Sequence, residues 1–141
     1  MFTNQTGQQT TRLQRGNKYV MVMVEIDSTA ILVKPMQSQK DAEMIWAYNA
    51  LLLRLRQTGS APKKYVLDNK ISDSMKDHIL DTCNSTIKMV PPGCHWRNMA
   101  EVAICNFKAH FISILAGVAK DFAPNLWDRL LTKTKITLNL I

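Results

Sequence analysis

No apolar run in this chain approaches the roughly 18 residues that a membrane span requires, and the stretch after Met1 is too polar for a signal peptide. A soluble, intracellular protein is expected. Cysteine is scarce: Cys83, Cys94 and Cys105 are odd in number and show no CxxC or Cys/His ligand spacing. That pattern argues against a disulfide framework and for inert or buried free thiols in a reducing compartment. Cys94 beside His95 lacks the further ligands that a zinc site needs. There is no glycine-rich phosphate loop, internal repeat or low-complexity tract, so no nucleotide or other small-molecule cofactor is implied. Acid is the minority charge, with 11 Asp and Glu against 18 Lys and Arg, a net +7. A pI near 9.5 favours an acidic partner such as nucleic acid.

What is present is apolar enough to fold. At 141 residues and 46% hydrophobic content the chain can bury a core as one domain. Residues 1–17 are polar, with Gly7 and Gly16 marking turns, and fit a short strand or hairpin arm followed by a loop. Lys18 to Ile26, KYVMVMVEI, is a near-continuous β-rich run of the kind buried on both faces. Asp27-Ser28-Thr29 reads as a turn and Ala30 to Lys34 as a second strand stopped by Pro35, antiparallel to the first because the link is so short.

Ser38, with Asp41 three residues on, has the form of a capping-box start for a helix, and Gly59 marks its end. Ala42, Ile45, Trp46, Leu52 and Leu53, widened by Leu51 and Leu55, supply its inward stripe, with Trp46 and Tyr48 expected in the core rather than against a ligand. A strand follows at Tyr65 to Leu67, with Asp68 at its carboxyl end, where ligands and catalytic groups collect in open α/β sheets. Ser72 opens a helix to about Cys83 with Met75, Ile79 and Leu80 inward. Ile87 to Val90 forms another strand and leads into the Pro91-Pro92-Gly93 break. From Met99 a helix of about five turns carries Ile104, Phe107, Phe111, Leu115 and Val118. Pro124 starts one more, with Leu126, Trp127, Leu130 and Leu131 apolar, towards Ile141. The layout is α/β: a mixed five-stranded sheet, three antiparallel strands and then two parallel ones joined by helical crossovers, the element order of a ribonuclease H-like fold. The chain stops in apolar residues without a C-cap signal, so a single domain over residues 1–141, truncated at both ends, is expected.

Two acids stand out. Asp68 ends a strand, Glu101 opens a helix, and 32 residues separate them, enough for one helix, one strand and a loop. Taken alone, Glu101 reads as a first-turn helix acid favoured by the macrodipole. Together the pair is placed as two-metal phosphodiester chemistry requires, since hard cations must be held by carboxylates from different elements.

The segments YVLDN (65–69) and NMAEVAICNFK (98–108), with GNKYVMVMVEIDSTAILVKPM (16–36), resemble the catalytic core of retroelement integrases, most closely the copia-type retrotransposon branch. The resemblance covers the chain from about Asn4 to Ile141. In that family of transposable-element enzymes a DDE triad, two Asp and one Glu, binds the metals, and the core cuts and joins DNA ends. It implies that Asp68 is the second acid and Glu101 the third. The first falls in Asn4-Gln5-Thr6-Gly7, where the family carries a stretch similar to Asp-x-Thr-Gly. Asparagine keeps a carbonyl oxygen but loses a unit of charge, so weakened Mg²⁺ or Mn²⁺ binding and impaired catalysis are expected. Glu25 and Asp27 are poor substitutes. Nine residues at about 3.3 Å each place them roughly 25 Å or more from the end where Asn4 and Asp68 should meet, and Asp27 is expected to shape its own turn.

Lys108 lies seven residues past Glu101 and so projects from the same helix face, and the resemblance implies that it contacts DNA. Arg97 and His95 could reach phosphates or splayed bases. Trp96 could stack on a base or tuck under its own loop. The expected partners are DNA and a second copy in a homodimer, with a nuclear site of action if the chain integrates into a host genome. Two functional readings follow: a metal-dependent DNA strand transferase impaired at Asn4, or a catalytically inactive nucleic-acid-binding or assembly module that keeps the fold.

Overall fold

The computed structural model describes residues 2–5, 16–60, 62–67, 71–83, 86–89, 99–123 and 126–140, with the backbone alone for 2–5, 83, 99 and 100. In chain order the elements are β1 (Phe2–Gln5), β2 (Tyr19–Val24), β3 (Ile31–Met36), α1 (Asp41–Gln57), β4 (Lys64–Leu67), α2 (Asp73–Cys83), β5 (Thr86–Met89), α3 (Met99–Ala116) and α4 (Asp128–Asn139). The strands are hydrogen-bonded in the order β3-β2-β1-β4-β5. β2 runs antiparallel to both β1 and β3, whereas β4 runs parallel to both β1 and β5.

β2 is buried on both faces, as its unbroken apolar run predicts. Side chains alternate across a strand, so Met21 and Met23 join Met44, Tyr48, Leu51, Tyr65, Met75 and Ile79 beneath α1 and α2. Val20, Val22 and Val24 face the other way, against Ala103, Ile104, Phe107 and Phe111 of α3 and Trp127 and Leu131 at α4. Two cores therefore share one strand. Phe107 and Phe111 stack at 5.9 Å and 11°. Trp127 meets Phe111 edge-on at 5.9 Å and 69°, one of the favourable arrangements of aromatic quadrupoles.

Several local expectations are corrected. Pro35 does not stop β3. It pairs in register with Val20 and the strand runs on to Met36, which is possible because β3 is an edge and proline's missing donor faces away from β2. Ser38 does not cap α1. Lys40 holds the N-cap position without a side-chain cap, while the Ser38 hydroxyl accepts from the Lys40 N–H at 3.4 Å. Ser72 does cap α2, accepting from the Met75 N–H at 3.3 Å. The end of α1 is as expected: Gly59 takes φ +82°, and its N–H donates to the Arg56 carbonyl at 3.0 Å.

The inward faces of α1 and α2 are rotated from the expected ones. Met44, Ala47, Tyr48, Leu51, Leu52 and Leu55 are buried, whereas Ala42 is exposed and Trp46 and Leu53 are 51% and 60% exposed. Trp46 instead supports the Lys34 ammonium, 4.4 Å from its ring centroid. On α2, Met75 and Ile79 are inward but Leu80 is exposed. Val118 lies beyond the end of α3 rather than in its stripe. Val90 and Pro124 lie outside the described residues. Cys105 is a free thiol, as expected, and is exposed. Among the described residues no helix is long and apolar enough to cross a membrane.

The β2–β3 turn is organised by Glu25 rather than by Asp27. Glu25 is buried, and its Oε2 accepts from the Ser28 N–H at 2.7 Å and from the Ser28 hydroxyl at 2.6 Å, across a turn whose Thr29 sits at φ 54°. The Ser28 hydroxyl bond, more than any other influence, holds the Glu25 carboxyl below the ordinary glutamate range. A depressed carboxyl stabilises the fold above its unfolded value, about pH 4.3, and that contribution is lost as pH falls through the folded value. Glu25→Gln is therefore expected to cost about 1–2 kcal/mol at neutral pH. In urea titrations the difference between the two proteins should close below about pH 4.

Candidate active site

The helix that carries Glu101 is held by its own apolar stripe. Ala103, Ile104, Phe107 and Phe111 anchor α3 across β1 and β2, with the small Ala103 allowing close approach near the first turn. Glu101 is half-buried in that turn, where the macrodipole favours an acid. Lys108 is exposed two turns further along, on the face that a seven-residue interval returns to.

β1 supplies the second wall. Asn4 pairs in register with Val22, whose side chain belongs to the core beneath α3. On the other side of β1, Phe2 pairs with Val66 and Thr3 with Leu67, the last residue of β4. Asp68 follows Leu67 in sequence. Asp68, His95, Trp96 and Arg97 lie outside the described residues, and the side chain of Asn4 does as well. The described structure thus brings together the backbone at Asn4, the end of β4 and the helix bearing Glu101 and Lys108. Among the described residues no group of three His, Cys, Asp or Glu could hold a metal ion. Asn4, Asp68 and Glu101 would offer oxygen donors, the type a hard divalent cation takes, with one negative charge fewer than three acids would give.

The observed register also revises the geometry of the substitute acids. With Asn4 opposite Val22, Glu25 lies only three residues along β2, an offset of about 10 Å rather than 25 Å. It is removed from contention by its engagement with Ser28, not by distance. A second cluster escaped the sequence reading altogether. Lys34, Arg54 and Lys135 line a cleft at the β3 edge. They are spread over a hundred residues and three elements, and no local motif links them.

No protein-family model matches the chain, and no curated protein matches it. Solved structures do. A chain of the simian T-cell lymphotropic virus intasome, determined with the PP2A regulatory subunit B56 gamma, superposes with a TM-score of 0.73 at 14% identity over 96% of this chain. The catalytic core domain of BIV integrase superposes with a TM-score of 0.68 at 12% identity, covering 97% of this chain and 80% of that one. The present chain spans 46% of the intasome chain. At such identities the likeness is one of fold: this is an α/β fold resembling retroviral integrase catalytic cores.

Because Ala103 sets how closely α3 sits on the sheet, Ala103→Leu is expected to destabilise by about 1–3 kcal/mol through overpacking. Chemical denaturation would measure that loss. The conservative Ala103→Ser, nearly equal in volume, should lose less than Leu.

Proposed function

We infer that this chain is an integrase-type polynucleotidyl transferase core of the ribonuclease H-like kind, closest to the copia-type branch, and that Asn4 impairs its metal-dependent DNA cleavage and strand transfer. The observation that carries the reading is register. Thr3 pairs with Leu67 on parallel neighbours, Asn4 and Asp68 are the next residues in sequence after that pair, and α3, whose first turn holds Glu101, packs on β1. Those three are the residues that the sequence resemblance aligns with the family's acids. The integrase fold of the superposed structures supports the same assignment.

In this reading Asn4, Asp68 and Glu101 hold one or two divalent ions, whose chemistry when bound is to activate an attacking oxygen and stabilise the leaving one. Asp68 and Glu101 contribute charge and Asn4 a neutral carbonyl oxygen, which positions without attracting. Lys108, projecting from the Glu101 face of α3, neutralises a backbone phosphate and fixes the DNA's register. Arg97 and His95 act on neighbouring phosphates, and Trp96 offers a stacking surface. The core works on DNA, as a homodimer, and in the nucleus when the target is a host genome. A second reading, an inactive nucleic-acid-binding or assembly module, is favoured by one observation, the neutral residue at position 4.

Asn4→Asp decides between them. Under the first reading the reversion raises the melting temperature in Mn²⁺ and brings strand transfer on a DNA substrate from background to a measurable rate. If the reverted protein binds DNA but gains neither the metal-dependent shift nor nicking, the binding-module reading holds. Lys108→Ala is expected to weaken DNA binding uniformly across sequences and to lower the salt slope by about one counterion, measurable by fluorescence anisotropy over a salt series.

A further inference from the structure

The β3 edge carries a second feature that the acids do not use. Where α1 and α4 overhang this edge they leave a cleft of about 390 Å³, lined by Asn17, Lys34, Arg54, Thr132 and Lys135 among others. Three of those side chains are cations from three different elements. The acid lining it is Asp128, at the start of α4. Burial first, and the Arg54 guanidinium second, push the Lys135 ammonium below the ordinary lysine value. The cleft therefore holds like charges that repel one another, a state that an anion would relieve.

The backbone of β3 points the same way. The Glu25 N–H donates to the Ala30 carbonyl at 3.0 Å, which fixes the alternation of the hairpin. Residues 31, 33, 35 and 37 then turn their backbone polar groups outward, away from β2. Three of those four outward donors are already removed. The Ile31 N–H donates to Asn139 Oδ1 at 2.8 Å, while Asn139 Nδ2 donates to the Ile31 carbonyl at 2.9 Å. Pro35 has no N–H. The Gln37 N–H donates to Glu43 Oε1 at 3.1 Å. What is left is the Val33 N–H, and Val33 lines the cleft.

An added strand from another chain would need a row of alternating donors and acceptors, and this edge has been closed to one donor. One backbone N–H set among three cations suits a compact, multiply charged oxyanion instead. Lys34 lines the cleft, and its ammonium rests 4.4 Å from the Trp46 ring centroid, with no ion pair to a carboxylate among the described residues. We propose that the cleft between α1, β3 and α4 is a phosphate-binding site, formed by Arg54, Lys135, Lys34 and the Val33 N–H. None of Asn4, Asp68 and Glu101 lines it. The phosphate belongs either to a nucleic-acid backbone or to a free polyphosphate. The inference does not rest on the strand-transferase reading, since neither Asp68 nor Glu101 takes part.

The test uses inorganic tripolyphosphate and, separately, a short DNA duplex, each titrated into the wild-type chain and into Arg54→Gln/Lys135→Gln. Wild type is expected to bind tripolyphosphate, with the affinity falling at least about tenfold in the double variant. Circular dichroism checks that the variant is folded. In the wild type alone, the Lys135 side-chain resonance should titrate at higher pH with tripolyphosphate than without it, a readout that needs no variant. A parallel loss of duplex affinity assigns the site to a nucleic-acid backbone, and an unchanged duplex affinity assigns it to a free polyphosphate. Equal tripolyphosphate affinity in the two proteins, or an unmoved Lys135 titration, overturns the proposal. So does a change in association state on sedimentation without a change in phosphate affinity, which would make the cleft a protein interface. Because Asn4→Asp reports on metal uptake and nicking, either inference can fail without the other.

Discussion

Two-sided burial of β2 is the constraint on which the rest of the molecule depends. Its Val and Met residues alternate between two cores, so a one-residue slip would exchange the faces and place methionines under α3 and valines under α1. Each side is already shaped for what it receives. The bulky, flexible Met21 and Met23 fill the space around Tyr48 and Tyr65, whose rings meet at 6.0 Å, and the compact valines lie under the stacked phenylalanines. With β2 fixed, β1 is fixed beside it, and through β1 the register of β4. The relative position of residue 4 and the end of β4 is thus a consequence of packing several residues away.

Much of this was legible in the sequence because strands announce themselves by composition. KYVMVMVEI could only be a strand enclosed on both sides, and the positions of β4 and β5 followed from short β-rich runs between helical patterns. Helix faces were harder. α1 is apolar around most of its circumference, with Met44, Ile45, Trp46, Ala47 and Leu51 to Leu53 all candidates, so periodicity alone leaves its rotation open. The sheet decides by taking Tyr48 and Leu51 and leaving Trp46 and Leu53 outside. Serine caps show the same limit. Ser38 and Ser72 both precede an acid-bearing helix start, yet only the second places its hydroxyl at the third helical N–H. Pro35 was misread for a topological reason, since tolerance of proline depends on whether a strand is an edge.

Of the candidate site, the sequence reading offered Asp68, Glu101 and Lys108 as candidates but misjudged the offset of Glu25. The 25 Å separation assumed that Asn4 lies beside the beginning of β2, whereas the strand pairs with its middle. Glu25 illustrates how a nearby acid is disqualified. Its Oε2 is already committed to two Ser28 donors, and releasing it would leave that turn without its organising acceptor. The cleft at β3 was invisible for a different reason: its cations come from a strand and two helices on opposite faces of the sheet, assembled only when α1 and α4 both overhang one edge.

Among the described residues, those that build the two cores and those assigned to chemistry, Glu101 and Lys108, form separate sets. No side chain of the two cores is an acid, and α3 is held by alanine, isoleucine and phenylalanine rather than by Glu101. A change at Glu101 would therefore remove charge from the first turn of α3 without removing a contact from either described core. That separation lets α3 keep its place on the sheet under either functional reading.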